Sequence, residues 1–149
     1  STPDQVRKLL ERTKTIAVAG MSGDPSRDSY QVATHLLDHG YRLIGVNPKY
    51  RKLFGDPVYP SLASIPESER RAIDLVNVFR RPEYGVETAV EAGRLKLPAI
   101  WFQLGVATPE AIAEAERAEM DIVSWKGFTV SDETLYDLKS QSLSVPLGN

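Results

Sequence analysis

The sequence predicts an α/β protein built on a doubly wound parallel sheet, and three observations carry that expectation. Short apolar runs alternate along the chain with stretches of helical periodicity, the pattern of strand–helix–strand crossovers. Helix-opening residues recur just before the periodic stretches: Pro3, Pro82 and Pro109 each stand at a first helical position, the last behind Thr108. The first apolar run, Ile16-Ala17-Val18-Ala19, leads into a turn carrying Gly20 and Gly23 and then into a helix. The expected sheet has five strands in the order 3-2-1-4-5, with helices on both faces in three layers, α/β/α, and right-handed crossovers.

In chain order, Thr2 is expected to cap an opening helix, with Pro3 at its first position and Gln5 completing a capping box. Val6, Leu9 and Leu10 form its one apolar stripe. Strand 1 follows over Ile16–Ala19, too short for a helix and apolar enough to be buried on both faces. Asp28 is read as the next N-cap, with Gln31 reaching back, and Ser29, Val32, Ala33, Leu36 and Leu37 as the inward face. Gly40 closes that helix. Strand 2 covers Tyr41 to Pro48.

Residues 49–71, broken by Pro57, Pro60 and Pro66, read as a loop with one helical turn near Ser61–Ala63. Ile73 to Phe79 is strand 3, alternating enough to lie towards an edge. Pro82 opens a helix with Val86, Ala89, Val90 and Gly93 along one face. Strand 4 is Ala99 to Leu104. Thr108 and Pro109 open a helix with Ala111, Ile112, Ala115 and Ala118 inward, and strand 5 is Asp121 to Trp125. Ser131 caps a last helix, stapled by Val130 and Leu135. No linker or repeat divides residues 1–149, so one domain is expected.

Composition narrows the function. A formal net charge of -2 gives no basis for nucleic acid or an anionic membrane as the main partner. The 149 residues contain no cysteine, which excludes disulfides, a thiolate nucleophile and cysteine metal sites. No apolar run nears the ~20 residues of a membrane span, and no segment resembles a signal peptide, so a cytoplasmic protein is expected.

In an open parallel sheet, ligands bind beyond the carboxyl ends of the strands, where the strand order reverses. The strand ends here are Gly20-Met21-Ser22, Asn47-Pro48-Lys49, Phe79-Arg80-Arg81-Pro82 and Gln103-Leu104-Gly105-Val106. Strand, glycine turn and helix together aim backbone N–H groups and a helix dipole at one spot that suits a phosphate. Ser22, Ser26 and Arg27 add hydroxyls and a guanidinium. The letters differ from the dinucleotide fingerprint G-x-G-x-x-G, and any doubly wound protein needs a tight first turn. A NAD site wants an acid at the end of strand 2 for the ribose hydroxyls, and this chain has Asn47 and Lys49, with Arg51 and Lys52 behind. That charge favours an adenosine phosphorylated on its ribose, as in coenzyme A or NADP; a solvated basic loop is the competing reading.

Other constellations carry less. His35 and His39 share a helix face, but no third ligand accompanies them and no metal is expected. Ser22 lacks the glycine at position 24 that a nucleophile elbow needs, because Asp24 stands there. Trp101 and Phe102 lie inside a strand and read as core. No catalytic residue is assigned.

The runs IAVAGMSGDPSRDSYQVATHLLDHGYRLIGVNP, YPSL, DLVNVFRRPE and IWFQLGV resemble the small single-domain CoA-binding proteins. These are similar to the CoA-binding domain of the succinyl-CoA synthetase alpha subunit. The resemblance spans roughly Thr13 to Val123 and implies a Rossmann-like fold with CoA, or an acyl-CoA, across the strand ends. Carried onto this chain, it implies that Gly20, Met21 and Ser22 face the ADP part and that Arg27 lies near the diphosphate. Asn47, Pro48 and Lys49 would flank the adenosine and its phosphate. Phe79, Arg80 and Pro82 would bound the nucleotide, and Gln103, Gly105 and Val106 would lie towards the pantetheine arm. The chain departs after strand 5: it has Ser124-Trp125-Lys126-Gly127-Phe128 where family members usually carry a Met-Asp-Arg-Cys-like segment.

Three functions follow from these residues. The first is non-catalytic binding of CoA. The second is an NADP-dependent oxidoreductase, weakened by the lack of a clear acid–base pair. The third is an interaction protein that keeps the fold without the ligand. Neither a protein partner nor a homo-oligomer is indicated by any motif.

Overall fold

The computed structural model describes residues 3–102 and 106–123. Its elements are α1 (Pro3–Arg12), β1 (Thr15–Ala19), α2 (Asp28–Asp38), β2 (Arg42–Val46), β3 (Lys52–Leu53) and β4 (Asp56–Tyr59). They continue with α3 (Glu67–Arg70), β5 (Leu75–Val78), α4 (Pro82–Arg94), β6 (Ala99–Phe102), α5 (Pro109–Arg117) and β7 (Asp121–Val123). Thr2, Gln103, Leu104, Gly105, the 124–128 segment and the last expected helix lie outside the described residues.

Alternation along the strands builds two cores on one sheet. Ile16, Val18, Leu43, Leu75 and Trp101 pack with Leu9 and Leu10 of α1 and Val32, Ala33 and Leu36 of α2. Ala17, Ile44, Val46, Val76, Val78, Ile100 and Phe102 pack with Ala89 and Ala92 of α4 and Ala111 and Ala115 of α5. The three layers are therefore present.

The strand count and order differ from the expectation. Seven strands lie in the order β3-β4-β2-β1-β5-β6-β7, not five in the order 3-2-1-4-5. The cause is Asp56–Tyr59, which pairs parallel to β2 through Gly45 with Val58 and Val46 with Tyr59. It takes the place beside β2 that the sequence reading gave to Ile73–Phe79. Leu75–Val78 instead pairs with β1 on its other side and with β6, buried along its whole length, and is central rather than near an edge.

The loop expected over 49–71 thus contains a hairpin. Phe54 and Gly55 form its two-residue turn, both at positive φ (53° and 82°), as a tight hairpin requires. The helical turn expected at Ser61–Ala63 is a bend braced by the Ser61 and Ser64 hydroxyls, and the helical turn is α3.

Helix α2 begins differently too. Asp28 is its first residue rather than its cap; Arg27 precedes it without a side-chain cap, and Gln31 Nε2 donates to the Pro25 carbonyl at 3.3 Å. Asp24 explains the shift. Its carboxylate accepts from the Ser26 amide at 2.9 Å and hydroxyl at 2.8 Å, and this closed turn feeds the chain directly into the helix. At the other end Gly40, at φ 85°, lets the Tyr41 amide reach the Leu36 carbonyl (3.1 Å) and its own amide reach Leu37 (3.0 Å), a Schellman closure.

Helix α4 turns a smaller face inward than expected: Gly85, Thr88, Ala89 and Ala92 are buried, while Val86, Val90 and Gly93 are half-buried. The small residues admit neighbours, since a β-carbon at Gly85 would press on Val106 and one at Gly93 on Ala118. Thr108 caps α5 as expected, its Oγ1 accepting from the Ala111 amide at 3.2 Å. Ala111 and Ala115 face inward; Ala118 is exposed apart from its contact with α4. Among the described residues no helix is long and apolar enough to cross a membrane.

The reversal of strand order falls between β1 and β5. The chain runs outward from β1 through β2 and β4, then returns to β5 and continues through β6 and β7. The crevice that this topology opens lies between the turn after β1 and the segment Phe79–Arg81.

Candidate functional site

Gly20 is the hinge of the crevice. Its φ of 90° belongs to the region that side chains avoid, and a β-carbon there would overlap the Phe79 carbonyl oxygen and lie 3.2 Å from Arg80 Cγ. The Gly20 amide donates to the Val46 carbonyl of β2 at 2.7 Å and the Phe79 amide to the Ala19 carbonyl of β1 at 2.8 Å, so the start of the turn is tied to β2 and the β5 exit to the end of β1.

The next residue turns inward. Met21 is buried in the core facing α1 and α2, and its sulfur fills the space left by the missing side chain of Gly45. A ligand in the crevice therefore meets Met21 through its backbone. That backbone is held from the neighbouring strand, because Asn47 Nδ2 donates to the Met21 carbonyl at 2.9 Å. The same side chain accepts from the Lys49 amide at 2.9 Å through Oδ1. One carboxamide thus ties the end of β1 to the end of β2 and sets the course of Pro48 and Lys49, both exposed.

Ser22 carries two contacts that sequence reasoning did not anticipate. Its Oγ accepts from the Asp24 amide at 3.0 Å and lies 3.5 Å from the Tyr50 hydroxyl. Tyr50 also covers Gly23: a β-carbon there would lie 2.9 Å from Leu53 Cδ2 and 3.2 Å from Tyr50 Cε1. Glycine at 23 makes room for the β3–β4 hairpin to lie over the loop, and the tilted rings of Tyr30 and Phe54, 5.1 Å apart, pin that hairpin to α2. The hydrogen bonds to Ser22 and Gly23 hold the Tyr50 phenol below its ordinary range. The available signal was three aromatic residues, Tyr30, Tyr50 and Phe54, around a run read only as an irregular loop.

Electrostatics separate the cations that sequence reading grouped together. Asp24 sits in the loop itself, its carboxyl lowered chiefly by the Ser26 amide and hydroxyl, with Arg27 adding a smaller attraction. Arg27 Nε lies 3.9 Å from Asp24 Oδ2, and both side chains are exposed, so the loop's guanidinium has a counter-charge in the loop. Lys49 and Arg80 have no carboxylate within ion-pairing distance among the described residues. Arg80 is half-buried, and its guanidinium carbon lies 4.9 Å from the centre of the Tyr84 ring.

Of the expected site residues, the structure gathers Gly20, Met21, Ser22, Asn47, Phe79 and Arg80 around the crevice between β1 and its neighbours. Pro82 is exposed at the first position of α4. Val106 is buried against Gly85 of α4, a core position beyond β6. Gln103 and Gly105 lie outside the described residues. His35 and His39 are half-buried on α2, where a His39 ring nitrogen lies 2.8 Å from the His35 carbonyl oxygen.

Known proteins share this fold and parts of this sequence. The model of the CoA binding domain family matches residues 14–128. The uncharacterized protein YneT of Bacillus subtilis is 37% identical over 107 residues, which cover 72% of this chain and 76% of that one. A solved structure from Pyrococcus horikoshii OT3 superposes with a TM-score of 0.82 at 31% identity, covering 97% of this chain and 94% of the other. An ADP-forming acetate–CoA ligase of Archaeoglobus fulgidus is 36% identical over 63 residues, 42% of this chain but 9% of the ligase.

Proposed function

The chain belongs to the CoA-binding domain family, and from that premise we propose that it holds coenzyme A, or an acyl-CoA, in the crevice at the strand ends without transforming it. One observation supports the choice of ligand above the others. The exit of β2 carries Asn47 as a clamp and Lys49 as a cation without a carboxylate partner among the described residues, where a site for an unphosphorylated ribose carries an acid. The residues fit the group: ammonium and guanidinium for phosphates, a glycine turn for close backbone approach, and the Asn47 clamp holding both in register. The ligase relative, by its name, works with CoA, which accords with the same reading.

Calorimetric titration of CoA, dephospho-CoA and NADPH tests it. Wild type is expected to prefer CoA over dephospho-CoA by about 1–2 kcal/mol, the range for a part-exposed charged hydrogen bond. Lys49→Ala is expected to lose most of that preference while binding dephospho-CoA nearly as before, and added salt should shrink it in wild type. An unchanged preference in the variant removes Lys49 from the site. Binding of NADPH without CoA turns the reading into the oxidoreductase, and binding of neither leaves an interaction protein.

A holding role also accords with the surroundings of Ser22, whose hydroxyl has a backbone amide and a phenol as partners and, among the described residues, no imidazole. Acetyl-CoA incubated with the protein is expected to keep its thioester at the background rate. A rate above background that disappears in Ser22→Ala overturns the non-catalytic reading.

A further inference from the structure

Arg80 and Tyr84 form a unit that the strand-end reading leaves unexplained. Tyr84 is 42% exposed, a large ring left in solvent on the first turn of α4. Its face is not idle, since the Arg80 guanidinium carbon stands 4.9 Å above the ring centre. The Arg80 stem crosses the glycine turn, with Cγ 3.2 Å from where a β-carbon on Gly20 would be. Arg80 stands just before the Arg81 cap and Tyr84 is the third residue of α4, so the turn of the chain into the helix brings the two side chains together.

Two arginines flank the glycine turn from opposite sides of the sequence, Arg27 in the loop that follows it and Arg80 with its stem against it. Arg27 has Asp24 beside it, 3.9 Å away, so part of its charge is already balanced within the loop. Arg80 is half-buried and, among the described residues, has no acid in ion-pairing distance while its guanidinium lies over an uncharged ring. A ring face attracts a cation without neutralising its net charge or occupying its N–H groups, which point outward in the guanidinium plane. Contact with the ring therefore restrains the guanidinium and leaves its N–H donors available to a ligand.

We propose that Tyr84 is a positioning residue: its ring restrains the guanidinium of Arg80, whose stem lies against the Gly20 turn, so that Arg80 rather than Arg27 makes the main side-chain contact with the ligand's diphosphate. The inference rests on the CoA reading above. A free, flexible arginine would surrender rotamer freedom on binding, whereas a stacked one has already done so.

The test is calorimetric titration of CoA, at low and at physiological salt, into wild type, Tyr84→Leu, Tyr84→Phe, Arg80→Ala, Arg27→Ala and the Arg80→Ala/Tyr84→Leu double variant. Tyr84 is exposed, so all Tyr84 variants are expected to melt with wild type. Arg80→Ala is expected to weaken CoA by about tenfold or more, the size of a lost charge-assisted hydrogen bond. Tyr84→Leu is expected to weaken it by about three- to fivefold and to flatten the salt dependence, and Tyr84→Phe to restore both, because the ring rather than the hydroxyl does the holding. In the Arg80→Ala background Tyr84→Leu should add nothing. An undiminished effect there overturns the proposal by showing that the ring meets the ligand itself. Full affinity in Tyr84→Leu, or a larger loss in Arg27→Ala than in Arg80→Ala, overturns it as well. Wild type that binds no CoA at all removes the coenzyme reading and this proposal together, an outcome distinct from the others.

Discussion

Gly20→Ala is expected to destabilise the fold by about 2–5 kcal/mol and to abolish ligand binding at any concentration that leaves wild type half-saturated. Two costs add at this position. The backbone at φ 90° lies where a β-carbon is strained, worth about 1–2 kcal/mol. The added carbon also overlaps the Phe79 carbonyl oxygen, a rigid backbone neighbour, and forcing strands apart costs a further ~1–3 kcal/mol. The effect on binding follows because relief requires β1 and the β5 exit to separate, and the crevice lies between them. Gly40 is the internal control. It has φ 85° but nothing within 4 Å of an added β-carbon, so Gly40→Ala should show only the backbone part. Chemical denaturation of both variants measures the difference. Equal losses at the two positions would mean that the close approach of Phe79 has no energetic consequence.

Trp101→Ala is the second large effect. Trp101 is 1% exposed, one of the largest fully buried side chains, and it packs in the core formed with α1 and α2. Removing an indole from such a place costs about 3–5 kcal/mol, transfer and cavity together. In a domain of this size that corresponds to a fall in melting temperature of roughly 8–15 °C. Trp101 is on β6, two strands from β1, so the variant is expected to retain CoA binding at temperatures where it remains folded. Thermal melts and titration of the same preparation separate the two readouts. A melting temperature within a degree or two of wild type would contradict the packing argument, and lost binding in a folded variant would place the indole nearer the ligand than the core.

The parts of this molecule that were legible in its sequence are those where one physical signal dominates. The apolar runs at Ile16–Ala19 and Ala99–Phe102 had no competing reading, and Thr108-Pro109 and Gly40 announced helix ends by their own chemistry. Asp56–Tyr59 was missed because a strand of four residues carrying Pro57, with only Val58 fully buried, offers almost no periodicity to read. Its partner β3 is two residues long. Leu75–Val78 was misplaced because Asn77 reads as an outward polar position, whereas it is buried in a strand with neighbours on both sides. That single residue turned an inner strand into an edge strand on paper.

The site divides in the same way. Gly20 was recognisable because only a backbone demand explains glycine after such a strand. Asn47 was noticed for the acid it replaces, but its grip on Met21 depends on β1 and β2 being neighbours in register, which no local pattern encodes. Tyr50 and Tyr84 act through contacts made only once the hairpin and α4 are in place.

The β3–β4 hairpin has a further consequence, for colloidal behaviour. An open parallel sheet ends in a row of unpaired backbone groups that a second chain can extend. On the β2 side that row is closed off by a strand of two residues bearing the exposed Lys52, set opposite Pro57, which has no N–H to offer. The rim is too short and too charged to template another strand. Deleting the turn from Lys52 to Pro57 would uncover the flank of the sheet, and such a chain is expected to precipitate on concentration while the intact one remains dispersed.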